Sequence, residues 1–171
     1  MKVLARAVLA AAMVFVAPTL HAQTSLLFAA GATMPIGSTG DGVETGYHAI
    51  VGVGIKPPLA PIGARIEGMF NENASKALAD ANARILAITA NATYTAIPTA
   101  YFIGGLGMYN GKCSGTCGPT NEGSTDVGFN IGGGVNIPLT GLGVYIEARL
   151  HVINTETEST KLLPITVGIK F

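Results

Sequence analysis

The sequence predicts an all-β fold, an eight-stranded antiparallel up-and-down β-barrel, on three observations. Apolar and polar residues alternate with period two in eight segments, the mark of strands with two unlike faces. Glycine, proline, asparagine and serine separate these segments, and the separations alternate between long and short. The composition is apolar and poor in charge: of 171 residues, 49% are hydrophobic and 12% charged, with 23 glycines and no tryptophan. An average soluble domain carries roughly 25% charged residues, so the usual water-facing charge is about halved. A disordered chain, which needs low hydrophobicity and high net charge, is excluded. Lys+Arg and Asp+Glu are equal at 10 each, so no basic excess points to a nucleic-acid partner.

The first element, residues 1–22, reads as an export signal. Lys2 and Arg6 precede an apolar run from Ala7 to Ala17, Pro18 breaks it, and Leu20-His21-Ala22-Gln23 offers a cut after Ala22. The run falls short of the ~20 apolar residues of a spanning helix. The expected mature domain is 23–171, and no later stretch reaches the ~18 consecutive apolar residues of a membrane helix.

The strands follow in order: Ser25–Met34, Tyr47–Ile55, Ala64–Phe70, Arg84–Tyr94, Ala100–Tyr109, Asp126–Asn136, Val144–Ile153 and Leu162–Phe171. Most have the ~9–11 residues a tilted strand needs to cross a bilayer. Pro35–Gly46, Asn71–Ala83, Asn110–Thr125 and Asn154–Lys161 are long, polar connections. Lys56–Gly63, Thr95–Thr99 and Ile137–Gly143 are shorter, and each contains proline. Long loops at one end and short turns at the other is the pattern of membrane barrels.

The two faces decide which side is apolar. In the seventh segment Val144, Ile146, Ala148, Leu150 and Val152 oppose Tyr145, Glu147, Arg149 and His151. The third sets Ile66, Gly68 and Phe70 against Arg65, Glu67 and Met69. The second sets Tyr47 to Ile55 against His48, the sixth sets Val127 to Val135 against Asp126, Asn130 and Asn136, and the eighth sets Leu163 to Phe171 against Thr166 and Lys170. As the outside of a soluble barrel, the polar face would be glycine-rich and thinly charged. As a lumen it balances, with Arg65, Arg149 and Lys170 against Asp126, Glu67 and Glu147, and buried charge demands such pairing. Gly52, Gly54, Gly128, Gly132, Gly134 and Gly168 on that face would make room for the long charged chains. A transmembrane barrel is expected, with Arg84 and Lys161 snorkelling at the loop-side ends of the apolar face. Phe28, Tyr94, Phe102 and Phe171 near the short turns, and Tyr47 and Phe70 near the long loops, resemble two interfacial girdles.

The strand Ala100-Tyr-Phe-Ile-Gly-Gly-Leu-Gly-Met-Tyr109, the strand Ile146-Glu-Ala-Arg-Leu-His151 and the ending Leu163-Pro-Ile-Thr-Val-Gly-Ile-Lys-Phe171 carry a resemblance over the whole mature chain. It resembles the small outer-membrane β-barrels of diderm bacteria, the OmpA-barrel and OmpX-like group. The resemblance implies a bacterial outer-membrane location, a lipid surround, and a barrel-assembly machinery that reads Val167, Ile169 and Phe171. In the family an aromatic often stands where Ile169 is. No peptidoglycan-binding domain of the kind some relatives carry is expected after Phe171.

Catalytic signatures are missing. Gly105-Leu-Gly107 runs on to Asn110, so no phosphate-binding glycine motif is completed. His48 and His151 lack partners at metal-ligand spacing, and no cofactor is expected. Some outer-membrane lipid A deacylases place a serine two residues after a histidine; after His151 that position is Ile153. Cys113 and Cys117 share the third long loop, and an exported chain meets oxidising conditions, so a disulfide is expected there. Two free thiols or half a metal site remain alternatives. Arg65, Glu67, Asp126, Glu147, Arg149, His151 and Lys170 are the candidate lumen network. The expected role is non-catalytic: a monomeric envelope or surface barrel whose long loops meet an external ligand. A narrow gated channel for small solutes and a soluble periplasmic ligand-binding barrel are the alternatives.

Overall fold

Period-two alternation becomes eight strands, each antiparallel to the one before it: β1 (Gln23–Pro35), β2 (Gly46–Lys56), β3 (Ile62–Ala74), β4 (Ala81–Ile97), β5 (Ala100–Gly115), β6 (Ser124–Leu139), β7 (Leu142–Asn154) and β8 (Ser159–Lys170). This is a computed structural model describing residues 23–77, 80–115, 123–139, 142–155 and 159–171. The export signal expected at 1–22 lies outside the described residues. A short helix, α1 (Ser38–Gly42), occupies the first long connection. β1 also pairs with β8, from Leu27↔Lys170 to Pro35↔Leu162, and closes the sheet into a barrel. Closure removes the exposed edges that an open sheet would offer to other chains.

All eight expected strands are present, and most run past their expected limits. β3 continues to Ala74 and β4 begins at Ala81, inside the connection expected at Asn71–Ala83. β5 and β6 likewise reach Gly115 and Ser124. Polarity marks where the apolar surround stops, not where pairing stops. Asn71, Glu72 and Asn73 still stand opposite Ile85, Arg84 and Ala83, because backbone groups beside a neighbouring strand are best satisfied by that strand.

The wall is inside-out compared with a soluble protein. Val51, Ile66, Ile88, Phe102, Leu106, Ile131 and Val167 lie exposed, while His48, Glu67, Asn91, Glu147, Arg149 and His151 are buried. Between the short turns and Phe70 or Leu86, the outward strand positions carry no ionisable group except tyrosine. Phe28 meets Phe171 edge-on at 6.5 Å near the short turns, and Tyr47 lies 6.2 Å from Phe70 at the other end.

Two kinds of filling occupy the inside. Ile50, Met69, Ala87, Tyr109, Ile153 and Leu162 form an apolar cluster. Its Tyr109, Ile153 and Leu162 line the base of an open mouth of about 480 Å³ at the long-connection end. The second filling is polar. His48 of β2 bonds Thr33 of β1 and Thr166 of β8, each at 2.9 Å, and so spans the seam where the barrel closes.

Candidate functional site: the charged lumen

β3 and β7 are four strands apart in a closed sheet of eight, so they face each other across the lumen. Each sends one arginine and one glutamate inward on alternate positions: Arg65 and Glu67 from β3, Glu147 and Arg149 from β7. The four side chains meet as a ring of alternating charge. Arg65 Nη1 lies 3.0 Å from Glu147 Oε2 and 3.6 Å from Glu67 Oε1. Arg149 Nη1 lies 2.6 Å from Glu67 Oε2, and its Nε donates to Glu147 Oε1 at 2.9 Å. A further ion pair joins Arg149 Nη2 to Glu147 Oε1.

Neutral groups complete the ring. The Tyr101 hydroxyl donates to Glu147 Oε2 at 2.7 Å, and Asn91 Nδ2 donates to Glu67 Oε2 at 3.0 Å. Asn130 Nδ2 in turn donates to Asn91 Oδ1 at 2.8 Å. The Arg65 guanidinium sits 4.9 Å from the Tyr101 ring centre and 5.2 Å from that of Tyr145. All four carboxylate oxygens therefore have a partner, the condition under which buried ions are tolerated. Exposure is 9% at Arg65 and 2–3% at Glu67, Glu147 and Arg149, so the ring is buried inside the barrel.

Three of the seven candidate lumen residues lie elsewhere. Asp126 accepts from the Ser124 hydroxyl at 2.8 Å at the long-connection mouth. Lys170 donates to Asn136 Oδ1 at 2.7 Å at the short-turn end. His151 Nδ1 is 2.9 Å from the Tyr109 hydroxyl. Distance along the strands explains the separation. Gly132 is the register partner of Arg149, and at ~3.4 Å per residue Asp126 lies roughly 20 Å along β6 from it. The expected three-against-three balance is two against two.

The lumen glycines also serve a different purpose from the one the sequence suggests. A Cβ on Gly52 would meet Glu67 Cγ at 2.8 Å, as expected for a charged chain. On Gly134 it would meet the Tyr101 hydroxyl at 2.6 Å, on Gly128 Tyr109 Cε2 at 3.0 Å, and on Gly168 Tyr145 Cε1 at 2.5 Å. Three glycines thus seat three tyrosines. Tyr101 and Tyr109 were legible through parity, since both share the face of Gly105 and Gly107 and oppose Phe102. Thr89 and Asn91 alternate with Ile88, Ala90 and Ala92 in the same way.

Val167 and Phe171 point outward and are exposed, and Ile169 shares their face of β8. Cys113 stands near the end of β5; Cys117 lies outside the described residues, and the expected disulfide with it. Among the described residues no three His, Cys, Asp or Glu side chains gather as metal ligands would.

No protein-family model matches the chain, and no curated protein matches its sequence. Solved structures do. Neisserial surface protein A is 15% identical with a TM-score of 0.67, over 87% of this chain and 97% of that one. A major outer membrane protein from Thermus thermophilus is 12% identical with a TM-score of 0.60, over 88% and 98%. Ail, the attachment invasion locus protein of Yersinia pestis, is 14% identical with a TM-score of 0.53, over 86% and 98%. The chain has the closed, up-and-down, eight-stranded antiparallel barrel fold of small outer-membrane proteins.

Proposed function

We propose that this chain is an integral bacterial outer-membrane barrel with a structural or surface-contact role and a closed lumen, and that it is not an enzyme. The observation that carries this reading is the inverted wall: an uncharged apolar outside around a buried ring of paired charge. Such a wall suits hydrocarbon and would be poorly soluble in water, which disfavours a soluble periplasmic barrel. With the start of β1 and the end of β8 on the short-turn side, the long connections face outward from the cell and offer the contact surface for an external partner.

A gated channel is the second reading. Open mouths of about 480 Å³ and about 760 Å³ lie at the two ends of the barrel, with the ring between them. Planar bilayers separate the two. The native chain should insert without steady conductance, and Arg149→Ala should open a measurable one. Steady conductance that Arg149→Ala leaves unchanged would sink the closed-lumen reading.

The reading extends to biogenesis: residues 1–22 export the chain, and the barrel-assembly machinery reads Val167, Ile169 and Phe171 on the outward face of β8. Removal of Phe171 should lower the folded fraction recovered from cell envelopes, measured by heat-modifiable gel mobility. Refolding of the same variant into detergent should proceed nearly as for the native chain. Equal defects in both assays would make Phe171 a packing residue only.

A further inference from the structure

The outer wall carries a groove of about 750 Å³ that crosses β1 to β5 and reaches Thr125 of β6. Its course follows one register row, Phe28–Val51–Gly68–Ile88–Met108. Four strand intervals of ~4.8 Å make the row roughly 19 Å long, the scale of an extended fatty acyl chain. Gly68 forms the low point, because the nearest atoms to a Cβ there would be 3.9 Å away on Val51. Phe70 and Leu86, opposite each other in the next row, form the flank toward the long connections.

One row further sit two cations. Arg84 and Lys112 are direct cross-strand partners on the outward face, an arrangement that costs stability when like charges stand opposite. They turn apart. Arg84 reaches β3, where Glu72 Oε2 lies 2.8 Å from both Nε and Nη2, and it covers the Phe70 ring at 5.4 Å. Lys112 leans over Gly123 on the opposite side and forms no ion pair among the described residues. Arg84, Lys112 and Glu72 together carry one net positive charge, on the long-connection side of the groove.

We propose that this face holds one outer-leaflet lipid whose headgroup is a net-anionic phosphate, that phosphate lying between Arg84 and Lys112 and an acyl chain in the groove over Gly68. An anion in that gap offsets the like-charge pair, and both cations are suited to phosphate. The assignment rests on the membrane reading above.

The test uses the full mature chain folded in a zwitterionic detergent, with bound lipid counted by native mass spectrometry. Phosphatidic acid and phosphatidylcholine with identical acyl chains are the probes. The native chain should retain phosphatidic acid about tenfold better, the size of one charge-assisted contact. Lys112→Glu should abolish the preference. Gly68→Leu should lower retention of both lipids, with heat-modifiable mobility reporting that the barrel still folds. Equal retention of the two probes by the native chain overturns the proposal, as does a preference that survives Lys112→Glu. So does a detergent-stable dimer that Gly68→Leu breaks, which would give the groove to a second copy. A chain that stays soluble without detergent removes the membrane reading itself; a detergent-requiring chain blind to headgroup removes only this inference.

Discussion

Arg149→Ala should cost the barrel about 3–5 kcal/mol, the usual penalty for leaving a buried charge without its counterion. Arg149 is the residue in the ring that contacts both Glu67 and Glu147 through short bonds. Without it two buried carboxylates share the single guanidinium of Arg65, whose separations are 3.0 Å and 3.6 Å. Since whole domains are stable by only ~5–15 kcal/mol, the urea midpoint in detergent should fall sharply. Arg149→Lys should lie between, keeping the charge while losing the fork. Arg149→Ala combined with Glu67→Gln should recover part of the loss, since one uncompensated carboxylate goes with it. A single variant within about 0.5 kcal/mol of the native chain, the usual range of surface changes, would mean the ring contributes nothing to folding.

The second large effect is steric. Gly168→Ala places a methyl where the Tyr145 ring already sits, against Cζ, Cε1 and the hydroxyl, and that ring is fully buried with little room to yield. Overpacking of this kind costs about 1–3 kcal/mol. The control is Gly104→Ala, where the nearest atom to the new methyl is the Asn130 carbonyl oxygen at 3.5 Å, an ordinary contact. It should change the urea midpoint little. Combining Gly168→Ala with Tyr145→Leu should cost less than the sum of the two, because the colliding ring is gone; additive losses would place the strain elsewhere.

Strand number, pairing order and the assignment of faces were legible because they depend on local alternation and punctuation. Glu147 and Arg149 declare their face by standing between Ile146, Ala148 and Leu150. The reach of β3 to β6 beyond the apolar span was not legible, since Asn71 and Asn73 are turn-prone residues by composition and strand residues only through pairing. Membership of the ring was legible only in part. Parity assigns a residue to the lumen but not to a level in it, and level depends on register and tilt. Asp126 and Lys170 therefore share a face with Arg149 and yet stand at opposite mouths. The seating of the tyrosines on glycines was not legible for a related reason: parity gives their face, but each is matched to a glycine on a neighbouring strand, such as Gly168 for Tyr145, which are register partners.

The position of the ring on β3 and β7 also has a mechanical meaning. A closed ladder of hydrogen bonds fixes the circumference of a barrel but not its shape, so a cylinder of eight strands can flatten into an ellipse without breaking a rung. Arg65–Glu147 and Arg149–Glu67 join diametrically opposed walls, and they act as a crossbar against that flattening. Lateral pressure from the surroundings is then carried through the lumen by paired ions, and resistance to flattening is a property of four side chains as much as of the sheet.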